Sequence, residues 1–157
     1  MNERDDVVAK ELGILLKATQ AALHQRMDEA LRPLGLTVSQ YACLSTLREE
    51  PGITASELAR RTFVSRQSMN VLLQGLERQH LVERSDEPGP RRERAADLTA
   101  DARRLLARAE SAVSAVTARM LAGLTAAQRD AMREALTASR DALLRSGDAP
   151  GAPADAR

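Results

Sequence analysis

Apolar residues recur at three- and four-residue steps through most of this chain, the periodicity of helices that each bury one face. From Val8, the positions Leu12, Leu15, Leu16, Leu23, Met27 and Leu31 mark one stripe of a long helix, which Arg32-Pro33 and Gly35 bring to an end. Thr37 and Gln40 then have the spacing of a capping box, in which a hydroxyl and an amide each satisfy one free backbone N–H. A second helix runs from there to about Glu49. Beyond the Pro51-Gly52 break, Thr54 and Glu57 repeat the box ahead of Leu58, Ala59 and Thr62, predicting a short third helix.

The stretch Arg61-Thr62-Phe63-Val64 has no helical stripe of its own, and Ser65 is a good N-cap for the strongly patterned segment through Gln79. Two helices joined by a tight turn follow from this. After Leu81-Val82, the run Glu83 to Arg92 is polar and turn-rich, and a short stretch to Leu98 completes a small two-stranded hairpin with a mobile basic tip. Thr99 caps a fifth helix striped by Ala102, Leu105, Leu106, Ala109, Val113, Val116 and Met120. Thr125 and Gln128 box a last helix, with Met132, Leu136, Ser139 and Leu143 along one side, that ends near Ser146-Gly147. The tail, 147–157, is Ala, Pro, Gly and Asp without periodicity and is expected to be disordered.

Composition agrees with this mainly α reading. Ala, Leu, Arg and Glu dominate, and the aromatic residues are Phe63 and Tyr41, so aliphatic side chains must build the core. The formal net charge of +1 announces no nucleic-acid partner, but its placement does. No acidic residue occurs from Leu58 to Leu76, a window that holds Arg60, Arg61 and Arg66, with Arg78 just beyond. The single cysteine, Cys43, excludes an intramolecular disulfide and suits a reducing compartment. The opening MNERDDVVAK has no basic-then-apolar signal pattern and no apolar run is long enough to span a bilayer, so cytoplasmic residence without a membrane partner is expected.

On the helix after Ser65, Met69, Leu72, Leu73 and Leu76 form the face to be buried, which leaves Arg66, Gln67, Asn70 and Gln74 together outside. An ordinary solvated helix usually carries Glu and Lys on that face. Amides that pair with adenine edges and an Arg that pairs with guanine suit a DNA major groove instead, where carboxylates would be repelled by phosphates. Arg91, Arg92 and Arg94 at the hairpin tip can enter a narrow minor groove or lie along phosphates, although Asp86, Glu87 and Glu93 make a solvated loop the plain alternative.

These residues together resemble the MarR family of winged-helix regulators, through Leu36-Thr37-Val38-Ser39-Gln40, Glu57-Leu58-Ala59, the helix from Ser65 to Arg78, Leu81-Val82-Glu83-Arg84, Arg91-Arg92 and Leu98-Thr99. The resemblance implies a winged helix-turn-helix lobe over 36–99, flanked by an N-terminal helix (1–35) and C-terminal helices (100–146) that form a dimerisation body. It implies a homodimer reading a pseudopalindromic operator in double-stranded DNA, with Ser65, Arg66, Gln67, Ser68 and Asn70 at base or phosphate positions. Thr54 would meet a phosphate at the start of the third helix, and Arg91 or Arg92 would serve the wing. Three positions depart from the family pattern: Pro90 replaces an Asp that holds the wing arginine, His80 a helix-ending Gly, and Ala102 a common Gly.

The resemblance also implies release from DNA by a small phenolic or anionic effector bound between the dimer body and the reading lobes. His24 and Tyr41 are candidates for a polar contact and an aromatic wall of such a pocket, against the plainer reading of each as structure. Cys43 is a candidate sensing thiol, but it falls among Ala42, Leu44 and Leu47, where a buried structural thiol is the simpler expectation. A winged helix that binds another protein remains a further reading, against which the acid-free face argues. The two histidines, His24 and His80, lie on different elements, and neither a Gly-rich phosphate loop nor metal-ligand spacing is present, so no enzyme, cofactor or metal site is expected.

Overall fold

The computed structural model describes residues 3–84 and 96–146. Helix α1 (Glu3–Leu31) runs through a 3₁₀ turn (Arg32–Leu34) into α2 (Val38–Glu49), α3 (Ala55–Arg61) and α4 (Arg66–Arg78). Strands β1 (Val82–Arg84) and β2 (Ala96–Leu98) pair antiparallel, with Val82 opposite Leu98 and Arg84 opposite Ala96, and α5 (Ala100–Leu121) and α6 (Ala126–Ser146) follow. The chain divides into two compact units, Met1–Ala118 and Arg119–Arg157. Among the described residues, the buried apolar core of the first unit runs from Leu31 to Val113.

The helices start where side-chain caps satisfy the free backbone donors. The Thr37 box is complete, with Gln40 N donating to Thr37 Oγ1 at 3.2 Å and Thr37 N donating to Gln40 Oε1 at 2.9 Å. The Thr125 box on α6 is equally complete, at 3.3 and 2.9 Å. At α3 only half of the expected box forms: Glu57 N donates to Thr54 Oγ1, and the hydroxyl in turn donates to Glu57 Oε2 at 3.5 Å. Thr99 does three things at once. Its N–H donates to Leu81 O, its hydroxyl donates to His80 O at 2.9 Å, and the same oxygen accepts from Ala102 N at 3.1 Å, so it ties the base of the hairpin to the first turn of α5.

One core cluster holds the first unit together. Cys43, Leu44 and Leu47 of α2, Leu58 and Ala59 of α3, Met69, Leu73 and Leu76 of α4, Val82, Ala96 and Leu98 of the strands, and Ala102, Leu106 and Ala109 of α5 are all buried in it. Ala at 102 and 109 keeps α5 slim enough to lie against that layer. Leu72 is half-buried rather than fully covered. The α1 stripe behaves differently from its periodicity: Leu31 is buried and Met27 and Leu23 are partly covered, but Leu12, Leu15 and Leu16 face solvent. Repetition at helical spacing marks a face that wants cover; it does not say which chain supplies the cover.

Both helices of the helix-turn-helix end with a residue in the left-handed region that is not glycine. After α4, His80 has φ 55°, with His80 N donating to Glu77 O and Leu81 N to Leu76 O, both at 2.9 Å. This is a Schellman ending, and buried Leu76 and Leu81 supply its apolar contact. A Cβ in this conformation costs roughly 1–2 kcal/mol, part of which glycine gives back through its freedom in the unfolded chain. Because the His80 side chain is exposed, His80→Gly is expected to stabilise the protein by about 1 kcal/mol, read as a higher urea midpoint at unchanged slope. A lower midpoint would mean that the imidazole makes a contact worth more than the strain.

Candidate nucleic-acid interface

Helix α4 is built by its cap. Ser65 is extended (φ −68°, ψ 152°), and its Oγ accepts from Ser68 N at 3.1 Å, which starts α4 immediately after the turn. Ahead of it, α3 ends as α4 does: Phe63 N donates to Arg60 O and Val64 N to Ala59 O at 3.0 Å, with Phe63 at φ 57°. A bulky side chain is thus held in a strained backbone conformation, 72% exposed, at the corner between the two helices. Arg61 pairs with Glu50, and the Arg60 guanidinium lies 3.6 Å from Glu57. The acids thus come from outside the acid-free window, and such exposed pairs are weak enough for a phosphate to compete.

Along α4, Met69, Leu73 and Leu76 point into the core and Arg66, Gln67, Ser68 and Gln74 are exposed, with Asn70 half-exposed. Among the longer helices, α4 has the sharpest division between its two faces. Its first turn contains no acid, so the positive end of the helix dipole is left uncompensated. Ser65 and Ser68 hydroxyls lie 2.8 Å apart. One O–H is used between them, which leaves the other to donate outward. Thr54, half-buried at the start of α3, has its hydroxyl aimed at Glu57 through a bond at the outer limit of hydrogen-bond length, readily exchanged for a stronger acceptor.

Val71 belongs to this face and is missing from the residues that the sequence pattern singled out. It lies four residues after Gln67 and three before Gln74, and it is 60% exposed. Helical spacing alone puts it there; attention to polar residues passed over it. The strained Phe63 could not have been found that way, since backbone φ has no signature in apolar spacing. The wing strands form as expected, whereas Arg91, Arg92, Arg94 and Pro90 lie outside the described residues.

The candidate effector residues lie on the first two helices. His24 is exposed on α1, Tyr41 is half-buried on α2, and Cys43 is fully buried, its thiol donating to Met69 Sδ at 3.9 Å. Burial raises the Tyr41 phenol above its ordinary range, and the Glu110 carboxylate adds to the shift, so the group stays a neutral donor. Arg48 of α2 pairs with Glu110 of α5 beside it. A cavity of about 320 Å³ lies at the foot of the hairpin, lined by His80, Val82, Glu83, Thr99, Ala100 and Asp101. A second, of about 470 Å³, is lined within the second unit by Met120, Leu121, Met132 and Leu136 among others. His24, Tyr41 and Cys43 line neither. Among the described residues no three His, Cys, Asp or Glu side chains gather to hold a metal ion, and no helix is long and apolar enough to cross a membrane.

A tight helix-turn-helix closed by a two-stranded wing is a recurrent design, and residues 34–93 match the family model described as MarR family. The HTH-type transcriptional repressor Rv2887 of Mycobacterium tuberculosis is 43% identical over 118 residues, which cover 75% of this chain and 85% of that one. The chain belongs to the MarR family. The structure of that mycobacterial MarR protein in complex with DNA superposes with a TM-score of 0.65 at 40% identity, covering 80% of this chain and 94% of the other. Its complex with salicylic acid gives 0.65 at 41% identity, covering 80% and 93%. A second MarR-like neighbour, CouR from Rhodococcus jostii RHA1 bound to p-coumaroyl-CoA, is 27% identical with a TM-score of 0.74, covering 82% and 90%. MarR proteins are winged-helix proteins, and this chain has that fold, mostly helical with one small antiparallel sheet.

Proposed function

We propose that this chain is a MarR-type transcriptional repressor, a homodimer that binds a pseudopalindromic operator in double-stranded DNA and is released by a small aromatic or anionic effector. The observation that carries the reading is the exposed face of α4, rich in amides and without a carboxylate from Arg66 through Leu76, on the second helix of a helix-turn-helix whose relative has been seen in complex with DNA. Arg66, Gln67, Asn70 and Gln74 take the base edges; Ser65, Ser68 and Thr54 take phosphates on either side; Arg91, Arg92 and Arg94 serve the wing. The apolar residues left exposed on α1 and α6, from Leu12 to Leu16 and at Leu136, Leu143 and Leu144, support dimerisation through the terminal helices. It acts in the cytoplasm as a binding protein, not an enzyme. Effector release is favoured over thiol sensing because the Cys43 sulfur is buried against Met69.

Selection from a random duplex pool, followed by binding measured against salt, tests this reading. An enriched pseudopalindrome with half-sites ~34 Å apart is expected. Its affinity should fall about 10³–10⁵-fold between 50 and 200 mM salt for ~6–10 phosphate contacts. No enriched sequence, or an affinity indifferent to salt, refutes it. Salicylic acid, the ligand of the mycobacterial relative, is the first effector probe; linkage requires that any acid that raises the melting temperature by binding the released state also lowers DNA affinity.

A further inference from the structure

Val71 is out of place if α4 serves only the fold. It is a β-branched residue in a helix, where side-chain freedom is lost against the preceding turn, and Ala, Gln or Lys would be better helix formers. It returns nothing to the core, because 60% of its surface is exposed. Its neighbours at helical spacing are Gln67, Ser68, Gln74 and Gly75, none with a large apolar side chain, so it does not extend an apolar patch outward from the interior. The core-facing positions, Met69, Leu73 and Leu76, occupy the opposite side.

The surroundings narrow what could cover it. From Leu58 to Leu76 the chain carries no carboxylate, and the first turn of α4 leaves its positive end open, so the face suits a polyanion. In the major groove of unmodified DNA, the one apolar group on a base edge is the thymine C5-methyl. We infer that Val71 reads thymine in each half-site through that methyl, with the flanking Gln67, Asn70 and Gln74 amides on neighbouring adenine edges. The inference rests on the DNA-binding reading above and adds a specificity-determining residue to it. It also predicts the composition of the site: the steps under the centre of α4 are A·T rather than G·C.

Deoxyuridine differs from thymidine only in lacking this methyl, which makes the test specific. Each thymine of the selected operator is replaced in turn by deoxyuridine, and affinity is measured with the full-length wild-type chain and with Val71→Ser. Wild type is expected to lose roughly four-fold at one thymine per half-site, the size of one buried methyl, and on the order of ten-fold or more when both half-sites are changed. Val71→Ser, of similar helix propensity, should keep its melting temperature, bind the thymine operator more weakly, and no longer distinguish thymine from deoxyuridine. Wild type that binds every substituted operator equally, yet still prefers the operator over random duplex, overturns the role of Val71 and leaves DNA reading intact. A methyl preference that persists in Val71→Ser assigns it to another residue and also overturns the inference. Failure to enrich any duplex overturns both readings.

Discussion

Leu76→Ala is expected to destabilise the protein by about 2–5 kcal/mol, enough to lower the melting temperature by roughly 5–20 °C. Leu76 is 0% exposed, and three separate features meet on it. Its side chain belongs to the core cluster, its carbonyl accepts from Leu81 N to close the end of α4, and with Leu81 it makes the apolar contact of that ending. Truncation leaves a cavity at the joint between α4 and the wing, which cannot collapse without moving one of them. Leu76→Met conserves volume and should cost less than about 1.5 kcal/mol. Urea denaturation of the two variants decides it; a loss below about 1 kcal/mol for Leu76→Ala would show that the joint repacks freely and is not closely packed.

Gln67→Glu should separate folding from DNA binding. Gln67 is exposed in the first turn of α4, where no acid stands at present. A carboxylate there faces the positive end of the helix dipole and should stabilise the fold by about 0.3–1 kcal/mol. The same carboxylate would meet phosphates and adenine or thymine acceptors in the groove, a like-charge contact costing several kcal/mol. The expected result is an unchanged or raised melting temperature with operator affinity reduced by roughly 100-fold or more, and a loss that grows at low salt. Retained affinity in a stable Gln67→Glu protein would place the DNA-binding surface elsewhere. That the chain forgoes a stabilising acid at this end of α4 is itself consistent with a surface shaped by its partner.

Much of the secondary structure was legible because caps and stripes are local. Thr37, Ser65, Thr99 and Thr125 each accept the backbone N–H expected of them, and the turn at Phe63 falls where the helical pattern lapses. The half-formed box at Thr54 shows the limit of spacing as a guide: Glu57 also approaches Arg60, a competitor that the four-residue pattern does not contain. The candidate effector residues are a different kind of reading. His24, Tyr41 and Cys43 were chosen for chemical type, but whether three residue types share a cavity depends on how α1 and α2 are rotated, which no local pattern reports.

By itself the sequence determined the order of elements, the division of α4 into two faces and the absence of acids from Leu58 to Leu76, because each depends on residues within a few turns of one another. Tertiary structure decided the rest. It buried Cys43 against Met69, forced His80 and Phe63 into left-handed backbone, joined α2 to α5 through Arg48 and Glu110, and left Leu12, Leu15 and Leu16 uncovered. These are outcomes of packing between elements distant in the chain, where burial is set by which neighbour arrives and not by the residue that awaits it.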